Sequence, residues 1–162
     1  MKNIAVMASG NGSNFQAIVE ALKRGKIKAN LKLLVSDNSE AYCLERAVKA
    51  KVKAFIADRR DFLSKKDFEE QIVRKLKSEK IDWVILAGFM RILSPYFIRQ
   101  YKNKILNIHP ALLPAFKGAR AIEDAFKYGV KVTGVTVHLV DEQVDHGRII
   151  LQEALKIYEN DT

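Results

Sequence analysis

The sequence predicts an α/β protein built on an open, mostly parallel, twisted sheet of seven strands with helices on both faces. Three observations carry that prediction. Short β-rich apolar runs alternate with helical stretches along nearly the whole chain. The first run, Ile4 to Ala8, is continuously apolar, as expected of a strand buried on both faces. A turn of glycine, serine and asparagine follows it and opens directly into a helix, the entry of a Rossmann-like βαβ unit.

The elements follow in order. A helix runs from about Asn14 to Arg24, with Phe15, Ile18, Val19 and Leu22 at helical spacing and Gly25 at its end. Leu31 to Ser36 is a second strand. Glu40 to Lys51 is a helix whose apolar face is Leu44, Ala47 and Val48. Lys53 to Ala57 is a third strand. Lys65 to Lys80 is a charged helix with an inner stripe of Phe68, Ile72, Val73 and Leu76. Asp82 to Ala87 is a fourth strand. Pro95 to Lys102 is a short helix with proline in its first turn. Ile105 to His109 is a fifth strand, stopped by Pro110, and a long loop runs to Gly118. Arg120 to Tyr128 is a helix closed by Gly129. Thr133 to Val140 and Arg148 to Ile157 read as an antiparallel pair at one edge of the sheet.

A chain of 162 residues fits one domain, taken as 1–162. Apolar residues at 48% exclude wholesale disorder. No apolar run approaches the roughly 20 residues a bilayer requires, so no membrane partner is expected. No stretch reads as a signal peptide, and the expected compartment is the cytoplasm. The single cysteine, Cys43, excludes an internal disulfide and a cysteine-built metal site. With no paired histidines either, no metal is expected. The net charge of +9 favours anionic partners, although the lysines are dispersed and on composition alone fit a plain solvated surface better. Aromatics do not interleave with the lysines, so no nucleic-acid platform is expected.

Three segments carry chemistry. Ser9-Gly10-Asn11-Gly12-Ser13-Asn14 lies between the first strand and first helix, where free N–H groups and the positive end of the helix dipole suit a phosphate. Phe15 occupies the third glycine position of a dinucleotide fingerprint, so that reading is weak, although Asp37 could mimic its ribose-binding acid. No Gly-Lys-Ser/Thr follows, so it is not a P-loop. Without a ligand the turn would be ordinary, capped by Ser13 or Asn14. The second segment is Asn107-Ile108-His109-Pro110. Residues two apart on a strand share a face, so Asn107 and His109 project together at a carboxyl strand end, able to polarise a carbonyl and pass a proton, and a buried histidine that simply satisfies its neighbours is the equal alternative. The third is the loop from Asp141 to Gly147, where Asp141, Glu142 and Asp145 are each candidates to orient His109. His138, in mid-strand, reads as structural. No Gly-x-Ser-x-Gly surrounds any serine, which disfavours a serine hydrolase.

The glycine turn, Ala87-Gly88-Phe89-Met90-Arg91-Ile92-Leu93-Ser94-Pro95, Asn107 to Pro114 and Gly134-Val135-Thr136-Val137-His138 occur in this order. Together they resemble the folate-dependent formyltransferases, and among them the phosphoribosylglycinamide formyltransferases of purine synthesis. The resemblance runs from Met1 to about Ile157 and implies the formyltransferase fold. It implies two small-molecule substrates, 5-phosphoribosylglycinamide and 10-formyltetrahydrofolate, the latter a co-substrate, and a monomer or homodimer. It implies the substrate phosphate on Gly12, Ser13 and Asn14. It implies the folate against Lys65, Met90, Arg91, Ile92 and Leu93, the loop 140–145 and Asn107. Asn107 would bond the formyl oxygen, His109 would be the general acid, and Asp145 would raise the imidazole pKa. The resemblance has departures: Lys65 stands where arginine is frequent, Arg120 where histidine is, and Arg148 where proline is. Ending at Thr162, the chain also stops short of the C-terminal segment that the resemblance implies. The same motifs leave three rivals: formyltetrahydrofolate hydrolysis, which Leu113 to Ala119 also suggests; methionyl-tRNA formylation; and a non-catalytic nucleotide- or RNA-binding domain.

Overall fold

The structure is a computed structural model that describes residues 1–158, 160 and 161. The chain end at Thr162, on which the expectation of a missing C-terminal segment rests, lies outside the described residues.

The strands are β1 (Lys2–Met7), β2 (Ala29–Ser36), β3 (Lys53–Ile56), β4 (Trp83–Leu86), β5 (Ile105–His109), β6 (Val132–Leu139) and β7 (Ile149–Lys156). The helices are α1 (Ser13–Lys23), α2 (Cys43–Ala50), α3 (Lys65–Ser78), α4 (Pro95–Gln100) and α5 (Ala121–Tyr128). The sheet order is β3-β2-β1-β4-β5-β6-β7. The first five strands in that order are parallel, and β6 and β7 join antiparallel. The chain leaves β1 toward β2 on one side and returns through β4 on the other, which opens a crevice at their carboxyl ends.

Strand periodicity builds two cores. Ala5, Met7, Leu33, Val35, Val84, Leu86 and Ile105 point to one face, against Phe68, Ile72 and Leu76 of α3 and Phe97 of α4. Val6, Ala8 and Leu34 point to the other, against Phe15 and Val19 of α1 and Cys43 and Ala47 of α2. Ile108 packs with this second core, so Asn107 and His109 project toward the first. By contrast, every residue of the edge strand β7 is exposed.

Two helix boundaries differ from expectation for local reasons. The second helix starts at Cys43 rather than Glu40 because the Asn38 carboxamide accepts the Glu40 N–H and holds a turn there. The third stops at Ser78 rather than Lys80 because Lys80 adopts φ 53°, which a right-handed helix does not allow. A single 3-10 turn, Arg59–Asp61, was not anticipated; the Asp58 carboxylate caps it by accepting the Arg60 N–H. The remaining strands and helices lie within three residues of their predicted limits.

Candidate active site

The site is assembled from the carboxyl ends of β1, β4 and β5 and the loop between β6 and β7. At β1, Gly12 caps α1 in the left-handed conformation, φ 74°. No side chain caps this helix, so neither Ser13 nor Asn14 is consumed by its own turn. A Cβ on Gly12 would lie 2.5 Å from Cys43 Cβ, so both conformation and space demand glycine. Ser13 and Asn14 are exposed at the helix start, where unpaired N–H groups suit an anion. Burial pushes the Cys43 thiol up, which leaves it a protonated packing group rather than a nucleophile.

The segment after β4 is stitched to this turn. The Ser9 N–H donates to the Gly88 carbonyl at 3.0 Å, and the Met90 N–H donates to Ser9 Oγ at 2.9 Å. Met90 and Ile92 are exposed, whereas the Leu93 side chain is buried in the first core and offers only backbone to a ligand. Arg91 Nε lies 2.6 Å from Asp37 Oδ2, which engages the acid considered for a ribose. Lys65, in the first turn of α3, lies 4.0 Å from the buried Glu69 carboxylate. Glu69 in turn accepts from the Ser94 N–H at 2.8 Å and from the Ser94 hydroxyl, anchoring the far end of the segment.

At β5 the geometry selects among the three acids. Asp145 reaches both strand residues: Oδ2 lies 3.4 Å from His109 Nδ1, and Oδ1 accepts from Asn107 Nδ2 at 3.4 Å. The Gly118 N–H donates to Asp145 Oδ2 at 2.8 Å and ties the long loop to the acid. Asp141 instead holds His146 at 2.8 Å. Burial pushes the Asp141 carboxyl up, but bonds from His146 and the Gln143 N–H outweigh it and hold it below its ordinary value. Glu142 pairs with Arg99.

His138 belongs to this network rather than to structure alone. It faces Asn107 across the antiparallel β5–β6 pair. Its Nδ1 faces the Leu139 carbonyl at 2.9 Å, which places a proton there and leaves Nε2 to accept from Asn107 Nδ2 at 3.1 Å. Only the β5–β6 register brings the two together, and a single sequence does not show register. Both Asn107 amide hydrogens are thereby engaged.

His109 is 3% exposed and also fully engaged. Its Nε2 lies 2.8 Å from the Phe116 carbonyl, an acceptor only, and its Nδ1 faces a carboxylate. The Phe116 carbonyl can only accept, so Nε2 carries a proton and is the nitrogen from which the ring can donate. A shallow cavity lined by Trp83, Leu106, Val140, Asp141 and Arg148 lies near the opposite end of β4 and holds neither Asn107 nor His109. The convergent polar groups, not that concavity, mark the site. Among the described residues no group of three or more His, Cys, Asp or Glu could hold a metal ion. Nor is any described helix long and apolar enough to cross a membrane.

A mostly parallel α/β sheet that carries an uncapped helix start after β1 and an Asn–His–Asp cluster at β5 fits a group-transfer enzyme, and the comparisons with known proteins show that class. The chain belongs to the formyl transferase family, whose model matches residues 2–162. Among its relatives, the phosphoribosylglycinamide formyltransferase of Bacillus subtilis (strain 168) is 46% identical over 162 residues, covering 100% of this chain and 83% of the relative. The trifunctional purine biosynthetic protein adenosine-3 of Homo sapiens is 42% identical over 159 residues, which are 98% of this chain but 16% of that protein. The solved structure of glycinamide ribonucleotide transformylase 1 from Geobacillus kaustophilus superposes with a TM-score of 0.96 at 49% identity, covering 100% of this chain and 86% of that one.

Proposed function

We propose that this protein is a phosphoribosylglycinamide formyltransferase. It moves the formyl group of 10-formyltetrahydrofolate to the amine of 5-phosphoribosylglycinamide in de novo purine synthesis. The observation that carries the reading is the Asn107–His109–Asp145 cluster beside an uncapped glycine turn, in a chain 46% identical to an enzyme of that name. The phosphate of the amine substrate rests on Gly12, Ser13 and Asn14. The folate lies along Met90 to Leu93, with Lys65 toward its carboxylates, and meets the loop 140–145 and Asn107. A cytoplasmic setting, small-molecule substrates and a monomer or homodimer are part of the same proposal.

The amine attacks the formyl carbon, a C–N bond forms and the formyl oxygen becomes an oxyanion. Asn107 donates to that oxygen once one of its amide hydrogens leaves His138 or Asp145. His109 supplies the second donor when its Nε2 proton turns from the Phe116 carbonyl to the substrate, which requires the 111–119 loop to shift. Donors aimed at developing charge in a dry site are the largest lever such an enzyme has. Collapse of the intermediate breaks the bond between the formyl carbon and the folate nitrogen. One proton passes from the attacking amine to that nitrogen, with Asp145 and His109 as its carriers. Binding both substrates side by side makes the attack effectively unimolecular.

The test is a formyl-transfer assay with 10-formyltetrahydrofolate, with and without the ribonucleotide. Ribonucleotide-dependent loss of folate formyl, with formylated product, is expected. Formate release independent of the ribonucleotide would replace this reading with the hydrolase.

A further inference from the structure

We propose that Arg46 is a positioning residue for the phosphate turn, a role that rests on the reading of Gly12 to Asn14 as the phosphate seat. Arg46 lies on α2, away from that turn in sequence. Its Nε donates to the Asn11 carbonyl at 2.9 Å and its second terminal nitrogen donates to Asn11 Oδ1 at 2.9 Å. One planar fork thus grips both backbone and side chain of the residue preceding Gly12. The Tyr42 ring, on the residue just before α2, lies 4.9 Å from the guanidinium and supports it. Two further contacts join α2 to the turn. The Cys43 N–H donates to the Gly10 carbonyl at 3.0 Å, and Gly12 abuts Cys43 so closely that no Cβ fits.

The carbonyls of Gly10 and Asn11 are both drawn back onto α2. That fixes the peptide orientations leading into the helix start and leaves the N–H groups of the following residues turned outward. Among the described residues no ion pair engages Arg46, so its charge adds to the positive end of α1 without being neutralised. The turn is therefore preorganised by a second helix, and an anion binding there need not order it.

The experiment compares steady-state kinetics of Arg46→Ala, Arg46→Gln and Arg46→Lys with the unaltered chain, beside direct titration with inorganic phosphate. Loss of a charge-assisted pair of bonds should raise KM for the phosphorylated amine about tenfold in Arg46→Ala, with kcat and the folate KM changed less than about twofold. Phosphate affinity should fall in parallel. Arg46→Lys keeps the charge but loses the fork, so it should recover only part of the loss. An unchanged KM and phosphate affinity in a folded Arg46→Gln variant would overturn the proposal. Full recovery by lysine would reduce the role to bare charge and overturn positioning. A general fall in kcat with a rise in both KM values would show mere loosening and overturn it as well. The phosphate titration needs no turnover, so a chain that binds phosphate through Arg46 yet transfers no formyl group would sink the transferase reading alone.

Discussion

The two halves of the site are built from different materials. The turn proposed to hold the phosphate is backbone: an uncapped helix start, carbonyls tied back to α2, and a glycine with no room for a side chain. The half proposed to handle the proton is side chain: Asn107, His109, His138 and Asp145, each touching at least one other. A backbone site tolerates most substitutions because every residue carries an N–H. A side-chain network fails when one member is lost, because the partner left buried has nowhere else to bond.

That contrast predicts the largest effects at β5 and its acid. His109→Ala and Asp145→Ala should each lower kcat by roughly 10²–10⁴ while leaving phosphate affinity within about twofold. Asn107→Ala should fall in the same range, since it removes a donor to the oxyanion. Single-turnover kinetics beside phosphate titration separates the two readouts. Near-normal turnover in any of the three would dissolve the distinction between the halves.

Gly12→Ala is the next largest, and it acts on the other half. It combines a strained left-handed backbone with a collision against Cys43, a destabilisation of about 1–3 kcal/mol. The turn must shift to admit the methyl group, so KM for the phosphorylated amine should rise more than kcat falls. Asn14→Ala, which keeps its N–H, should change that KM less. If Asn14→Ala were the more damaging, the seat would be built from side chains after all.

The fold and the turn were legible because their causes are local. A doubly buried strand is a run of apolar residues, and Ile4 to Ala8 needs no partner to be read. Parity along Asn107-Ile108-His109 placed two polar groups on one face before any register was known. What escaped the sequence depends on register and on long-range contacts. His138 joins the site because β6 runs antiparallel to β5, and nothing in Thr133 to Val140 announces its neighbour. Asp145 was one of three acids until the loop's path separated it from Asp141 and Glu142. Asp37 had the position of a ribose-binding acid, yet Arg91, fifty-four residues later, engages it. Arg46 gave no signal in the sequence because its partner Asn11 lies on another element.

The smallest effect concerns stability in acid, and it tests whether activity lost there belongs to the site or to the scaffold. Two carboxylates outside the Asn107–His109–Asp145 cluster are held down by cations. Hydrogen bonds from Lys53 on β3 and Lys75 on α3 lower Glu79 to about 2, and hydrogen bonds from the Arg60 side chain and N–H lower Asp58 to about 2. Both groups bind protons more weakly in the folded chain than in the unfolded one. Their contribution is therefore complete above the ordinary carboxylate range and disappears as pH falls through that range toward about 2. Both ion pairs are exposed on the cation side, so the effect is modest and screened by salt. Thermal melts across acidic pH should show stability declining only over that interval, and Glu79→Gln should shallow the decline. Turnover that falls at a pH where the melt is still flat then reports a loss that does not come from unfolding of the scaffold. Coincident loss of turnover and stability, abolished together in Glu79→Gln, would instead assign the acid limit to the scaffold.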